Sequence, residues 1–356
     1  MFLEIKPAEE IKAVVNCPRS KGFTNRALVV AALASGCSEL SNVLISDDTN
    51  YMMSGLRSFG AEIKIKEQKE AAAIVEGFNG KPKTPNKKIF VGNSGTTARF
   101  LTAVAALNGK AVIDGDSRMR ERPIGELVNA LNTLGVYATA TNNCPPVRVN
   151  GGRLKGGKVV MSGKTSSQFL STLLMVAPYA ARDVVIAIKD ELTSKPFADM
   201  TMQVMRDFGA KASSNNYKEF IIESGQRYNA RNYFVEGDAA NASYFFAAAA
   251  VTKGKVRVIN INPQSLQGEI KFVDVLEQMG CSVRKGSDWI EVAGNDAGEG
   301  LRGINVDMNS MPDVVQTLAV VALFSEGPTT IRNVANLRLK ETDRIAALAA
   351  ELRRMG

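Results

Sequence analysis

Asp207-Phe208-Gly209 is one of five similar tripeptides that decide how this chain folds. The others are Ser58-Phe59-Gly60, Thr133-Leu134-Gly135, Gln278-Met279-Gly280 and Arg354-Met355-Gly356, so the glycines recur at intervals of 75, 74, 71 and 76 residues. A recurrence of that length marks an internal structural repeat. Each tripeptide ends an amphipathic helical pattern. The last one sets Ile345, Leu348, Leu352 and Met355 three and four residues apart, a single stripe expected to face a core. Glycine just past a final helical turn suits a left-handed cap, with a strand starting directly after it.

The residues between the tripeptides repeat as well. Ala61–Glu76, Val136–Asn150, Ala210–Glu223 and Cys281–Ala293 read as strand-turn-strand. Ahead of each amphipathic helix comes a strand, a short polar loop and a helix that is apolar nearly all round. These units begin at Ala13, Ile89, Val159, Tyr233 and Ile304, and their helices cover 27–35, 98–107, 169–179, 242–251 and 314–324. Uniform apolarity predicts helices buried on every side. One repeat is therefore β-α-β-α-β-β, and the chain is an α/β protein in which five such units start. Buried helices at the centre and sheets outside make the polar loops converge at one end. A fifth hairpin is expected after Gly356, and the chain reads as truncated at its C-terminus.

Composition narrows the chemistry. At 356 residues the length suits two domains, and 45% apolar with 22% charged residues is ordinary for a globular protein. Met1-Phe-Leu-Glu-Ile-Lys6 has no long apolar run, and the apolar stretches 27–33 and 169–180 are too short to span a bilayer, so a cytoplasmic protein without membrane contact is expected. Cys17, Cys37, Cys144 and Cys281 lack metal-ligand spacing. There is no histidine, which excludes a His-based triad, an imidazole zinc site and a His general base; proton transfer falls to Lys, Asp, Glu, Tyr or Cys. The net charge of +8 comes without a basic arm, which favours small anionic ligands over nucleic acid.

The loops before the buried helices carry the candidate chemistry. They include Pro18-Arg19-Ser20-Lys21-Gly22, Gly92-Asn93-Ser94-Gly95-Thr96, Gly163-Lys164-Thr165-Ser166-Ser167-Gln168, Glu236-Gly237-Asp238 and Asp307 to Asp313. Gly and Ser ahead of a helix leave N–H groups and hydroxyls at the positive end of its dipole, a cradle for phosphate or carboxylate. A single such loop is an ordinary cap. Several of them, brought together with Lys21, Arg26 and Arg122, can hold two anions. Near the end, Asn336-Leu-Arg-Leu-Lys340-Glu341-Thr-Asp343-Arg344 packs charges of both signs where an apolar strand, Thr329–Val334, gives way to a helix.

Taken in order, these motifs resemble one family. They are Ser20-Lys21 with Asn25-Arg26, Asn93-Ser94-Gly95-Thr96, Arg120-Glu121-Arg122-Pro123, Ser166-Ser167-Gln168, Ser194-Lys195-Pro196, Gly237-Asp238, Pro312-Asp313 and Asn336 with Lys340-Glu341-Thr342-Asp343-Arg344. The family is that of the 3-phosphoshikimate 1-carboxyvinyltransferases, or EPSP synthases, and the resemblance runs from about Lys12 to Gly356. It implies the two-domain enolpyruvyl transferase fold (inverse α/β prism), with three βαβαββ units per domain, of which five of six start here. It also implies transfer of the enolpyruvyl group of phosphoenolpyruvate to the 5-hydroxyl of shikimate 3-phosphate, with release of phosphate. No cofactor and no metal are implied, and a monomer is expected.

The resemblance assigns roles residue by residue. Asp313 would accept the hydroxyl proton, with Lys340 stabilising the developing alkoxide. Glu341 would exchange a proton with the methylene carbon, and Lys21 would assist departure of phosphate. Ser166, Ser167 and Ser194 would hold the shikimate phosphate, Gln168 would lie over the ring, Arg26 would take the carboxylate, and Lys21, Gly22, Asp313, Asn336 and Lys340 would complete the shikimate 3-phosphate site. Gly95 would admit phosphoenolpyruvate close to the backbone, beside Gln168, with Arg122 and Arg344 pairing its charges. The chain departs from the family in having Gly22 where Ser is usual, Phe197 where Tyr is frequent, and no Asn-Asp-His-Arg motif or later Lys, both expected beyond Gly356.

Two domains are expected, 19–234 with three complete units and 1–18 plus 235–356, joined by strand crossings near 12–19 and 232–238 that serve as hinges. An inactive form that only binds shikimate 3-phosphate is the alternative reading. The sister transferase acting on a UDP-sugar is disfavoured because no Cys lies in Asp116–Arg122, and an RNA phosphate cyclase because there is no His. Without cover for its last helix, the chain is expected to fray or aggregate from about Ala346 onward.

Overall fold

A computed structural model describes residues 4, 6, 9–66, 71–107, 109–294 and 300–356. Residues 1–3, part of the stretch read above for a leader, and the turn 67–70 of the first strand-turn-strand stretch lie outside the described residues. The ten α-helices among the described residues are α1 (Lys21–Leu33), α2 (Asp47–Ser58), α3 (Gly95–Ala105), α4 (Gly125–Thr133), α5 (Ser167–Val176), α6 (Pro196–Asp207), α7 (Ala239–Val251), α8 (Phe272–Gln278), α9 (Val315–Ala322) and α10 (Arg344–Met355). Odd-numbered helices are the apolar ones and even-numbered helices the amphipathic ones. Gly60, Gly135, Gly209 and Gly280, just after α2, α4, α6 and α8, all take φ between +95° and +112°. That is the left-handed cap conformation from which a side chain is discouraged, and it explains why the repeat is written around glycine.

Contacts divide the chain into two compact units, a larger one (Arg19–Val235 with Asn336–Gly356) and a smaller one (Met1–Pro18 with Glu236–Ala335). Asn336–Gly356 thus groups with the larger unit, whereas the repeat pattern assigns it to the other. Within this grouping Arg118 donates to the carbonyls of Lys340 and Glu341, and the Arg122 and Glu341 side chains meet.

In the larger unit each repeat forms one four-stranded sheet. The second repeat sets the order Ile89–Phe90, Ala111–Asp114, Cys144–Gly152, Val136–Thr141, a parallel pair followed by an antiparallel hairpin. The third repeats this with Gly157–Met161, Val184–Ile188, Glu219–Ile222 and Ser213–Asn215. In the first, the parallel partner of Cys37–Ser41 is Asn232–Phe234, which opens the fourth repeat in sequence. Helices α1, α3 and α5 form the core. Phe23 through Leu33 are all buried in α1, all of α3 is buried except Thr96, and all of α5 except Gln168. Full burial of each Leu or Phe stabilises by about 1.5–3 kcal/mol.

In the smaller unit Lys12–Asn16 pairs in parallel with Lys255–Ile259, which continues antiparallel through Trp289–Ala293 to Ser282–Lys285. The fifth repeat supplies only two short parallel pairs, Leu301–Arg302 with Ser325–Glu326 and Asn305–Asp307 with Thr330–Arg332. Helices α7 and α9 are not buried all round as their composition predicts. Tyr244 and Val320 are exposed, as are Leu323 and Phe324 just after α9. Two apolar helices cannot enclose each other as three do, so one face of each meets solvent. The stripe on α10 also departs from expectation: α10 has no buried residue, and Met355 is 78% exposed. The four earlier amphipathic helices are each followed by a strand pair.

Candidate functional site

The loops before the helices fold as their capping chemistry requires. Ser20, Ser94 and Ser166 each accept a backbone N–H from the first turn of α1, α3 and α5. None of these helices carries an acidic residue in its first turn, so the positive dipole end is left for a ligand. In the smaller unit Asp238 caps α7, while α9 begins from the 3₁₀ turn Pro312–Val314 without a side-chain cap.

The loop 163–168 is stitched to the segment 190–194. Asp190 accepts from the Gly163 N–H at 2.6 Å and from the Ser162 hydroxyl at 2.8 Å, and Gly163 O accepts from the Thr193 N–H at 2.9 Å. The stitching brings the loop of Ser166 and buried Ser167 beside that of buried Ser194. Ser194 takes φ +55°, a left-handed conformation that a non-glycine residue adopts at some cost.

Arg26 lies at the base of the same unit, 2% exposed. Its guanidinium donates to Thr201 Oγ1 at 2.8 Å, Gly22 O at 3.0 Å, and Ser171 Oγ and Phe197 O at 3.2 Å, and it stacks between Phe100 and Phe197. It therefore ties α1 to α5 and α6. A Cβ on Gly22 would sit 3.1 Å from the terminal methyl of Met200, so Met200 crowds the space that the family's usual serine occupies.

The densest charge cluster surrounds the start of α3. Gly95 is required there by close approach: a Cβ would lie 2.5 Å from Arg122 Nη2 and 2.9 Å from Arg99 Nη1. Arg122, 3% exposed, donates to Asn93 O at 2.7 Å, while its Nε is buried without a partner. Arg99 donates to Gln168 Oε1 at 2.5 Å, and Gln168 donates to Thr96 Oγ1 at 3.1 Å. Burial, and then the neighbouring Arg122 charge, lower Arg99 to about 9, and burial lowers Arg122 as well. Glu341 balances them, with Oε1 3.6 Å from Arg122 and Oε2 2.7 Å from Arg344. Burial alone would raise the Glu341 carboxyl, but Arg344, its own backbone N–H and Arg122 outweigh it and bring the group to about 2. Lys21 pairs with Asp48 at 3.0 Å, and Asp48 O accepts from Thr97 on α3 at 3.2 Å.

The larger unit thus holds Lys21, Gly22, Arg26, Gly95, Arg122, Ser166, Ser167, Gln168, Ser194, Asn336, Lys340, Glu341 and Arg344. Asp313 belongs to the smaller unit, partly exposed on the turn that leads into α9. Asn336 has a buried, unpartnered Oδ1. Lys340 and Glu341 stand in a bend between the 3₁₀ turn Ala335–Leu339 and α10, outside the helix that the sequence places there. Three residues of the cluster escape sequence reasoning: Asp48, Arg99 and Arg118. Arg99 could have been found, one helical turn after Gly95 and on the same face of α3. Asp48 and Arg118 carry no local signal.

Together these features define a class: an α/β repeat protein whose larger unit gathers buried arginines and hydroxyls at the N-termini of its core helices. Among the described residues no cluster of three or more His, Cys, Asp or Glu could hold a metal, and no helix is long and apolar enough to cross a membrane. Residues 5–356 match the family model described as EPSP synthase (3-phosphoshikimate 1-carboxyvinyltransferase). The 3-phosphoshikimate 1-carboxyvinyltransferase of Serratia proteamaculans is 46% identical over 361 residues, an alignment spanning 99% of this chain and 82% of that protein. That of Yersinia pestis is 45% identical over 359 residues, with the same coverage. The EPSP synthase of Acinetobacter baumannii, solved at 2.37 Å, superposes with a TM-score of 0.79 at 23% identity, over 98% of this chain and 79% of that one. This chain belongs to the EPSP synthase family.

Proposed function

We propose that this chain transfers the enolpyruvyl group of phosphoenolpyruvate to the 5-hydroxyl of shikimate 3-phosphate and releases phosphate, by addition and then elimination. The observation that carries the reading is the cluster at the start of α3, where Arg122 and Arg344 pair with Glu341 and Arg99 donates to Gln168. Cations in excess of protein anions, at a capped helix N-terminus with Gly95 clearing the approach, suit phosphoenolpyruvate.

Ser166, Ser167 and Ser194 take the shikimate phosphate, Gln168 covers the ring, and Gly22 and Asn336 line the same ligand. Arg26 serves the carboxylate both directly and by holding α1 against α5 and α6. Asp313 accepts the hydroxyl proton while the Lys340 ammonium stabilises the alkoxide, because an unassisted carboxylate near pKa 4 is a poor base for an alcohol. Lys21 offsets the charge of the departing phosphate. Glu341, held near pKa 2 by its arginines, starts as a carboxylate. Phosphoenolpyruvate competes for Arg122 and Arg344, which lets Glu341 take up a proton from solvent, give it to the methylene carbon in the addition and take it back in the elimination.

Asn336–Gly356 continues the repeat of the smaller unit in sequence, and its Glu341 and Arg344 are read as working at the start of α3. The protein is read as a cytoplasmic monomer. A phosphate-release assay tests the function: release should require both substrates together. Calorimetric binding of shikimate 3-phosphate with no release would instead favour a form that only binds.

A further inference from the structure

We propose that Arg118 is a positioning residue for the transfer, holding Lys340 and Glu341 where they act through their main-chain carbonyls. The inference rests on the function proposed above. Residues 340–343 are neither helix nor strand, α10 beyond them has no buried residue, and the nearest core contact is Leu337, 1% exposed. Arg118 adds a restraint beyond that anchor. Its Nε donates to Glu341 O at 3.0 Å and its Nη2 to Lys340 O at 3.0 Å. The remaining nitrogen, Nη1, donates to Glu121 Oε2 at 2.8 Å, which fixes the direction of the fork.

The turn that carries Arg118 is itself anchored. The Met119 N–H donates to Asp116 Oδ1 at 2.8 Å, and the Asp116 N–H to Gly92 O at 3.1 Å. Arg120 grips buried Asp114 with two bonds, at 3.0 and 2.7 Å. Four residues after Arg118, the same turn projects Arg122, which lies 3.6 Å from the Glu341 carboxylate. Glu341 is therefore held twice from one rigid turn, by its backbone through Arg118 and by its side chain through Arg122. A planar fork can bridge two successive carbonyls, which the single ammonium of lysine does less well. Arg118 touches none of the serines assigned to the shikimate phosphate and holds Lys340 and Glu341 by their backbones, so its loss should fall mainly on the chemical step. A displacement of about 1 Å in a reacting group can cost on the order of 100-fold in rate.

The test compares Arg118→Ala and Arg118→Lys with the unaltered chain, in steady-state kinetics for both substrates and in hydrogen exchange of 336–344. Arg118→Ala should lower kcat roughly 10- to 100-fold. The KM for shikimate 3-phosphate should stay within about 2-fold, a pattern that marks an interaction used in the transition state. Arg118→Lys should recover part of the loss. Exchange in 336–344 should quicken in Arg118→Ala while α4 stays protected. Unchanged kcat with unchanged exchange would overturn the proposal. So would faster exchange throughout the larger unit, which would make Arg118 a residue of the fold alone. If the unaltered chain releases no phosphate, the functional reading fails, and the exchange data alone decide whether Arg118 holds the segment.

Discussion

Helices α3 and α9 begin as versions of the same repeat element and end in different surroundings. In the larger unit α3 is enclosed, with Phe100 and Leu101 at 1% exposure or less, and its first turn carries Gly95 and Arg99 into the charge cluster. In the smaller unit α9 keeps Leu318 and Val321 buried but leaves Val320 44% exposed, and the turn that leads into it carries Asp313. The same composition thus builds a sealed platform in one place and a half-open one in the other. On the assignments proposed above, the sealed unit holds the binding groups together with Lys21, Lys340 and Glu341, and the proposed base Asp313 stands on the unit that is partly open.

The strongest way to break this comparison is Asp313→Ala. If Asp313 on the open unit is the base, kcat should fall by about 10²- to 10⁴-fold, the range for a general base. Calorimetry should show shikimate 3-phosphate affinity nearly intact. An Asp313→Ala chain with full turnover would rule out the assignment.

Next in size is a paired truncation. Leu101→Ala removes a side chain at 0% exposure from α3 and should cost about 2–5 kcal/mol in denaturant unfolding. Leu323→Ala, at a position 55% exposed, should stay within about 0.5 kcal/mol. It should also reduce self-association seen by light scattering, because Leu323 and Phe324 lie side by side in solvent. Equal costs at the two positions would mean that the open face is covered in solution.

A smaller effect is expected at Gly95→Ala. The added methyl would meet the Arg122 and Arg99 guanidiniums, which are ends of flexible side chains and can shift. The KM for phosphoenolpyruvate should rise about 10-fold, with kcat much less changed, the signature of lost uniform binding. A rise confined to shikimate 3-phosphate would misplace the two ligands.

The repeat shows how much of this was legible in the sequence. The glycine period located the helix ends, and the left-handed φ at Gly60, Gly135, Gly209 and Gly280 is the physical reason it did. Ser20, Ser94 and Ser166 announced their helices because capping is a local interaction. The exposed sides of α7 and α9 were not legible, since composition states that a helix wants cover and not whether cover arrives. The irregular bend at Lys340 and Glu341 was hidden likewise. Its restraint, Arg118, is 222 and 223 residues away, and no local pattern encodes such a pairing.

The mildest prediction concerns pH. Glu341 sits near 2 against an ordinary 4.5. A depressed acid contributes stability that is complete above pH 4.5 and is lost as pH falls toward 2. The contacts of Glu341 with Arg344 and Arg122 should therefore persist through pH 4.5 and weaken only below it. Carboxyl chemical shifts followed by NMR should give a midpoint well under 4; a midpoint near 4.5 would show that the ion pairs do not form in solution.

The central claim is that the cluster at the start of α3 is where phosphoenolpyruvate binds. Calorimetric titration of phosphoenolpyruvate into the chain saturated with shikimate 3-phosphate, for the unaltered protein and for Arg122→Ala, tests it most directly. The account predicts measurable, salt-sensitive binding to the unaltered chain and a loss of at least about 100-fold in Arg122→Ala, the cost of removing a buried, charge-assisted contact. Equal affinity in the two proteins would contradict it.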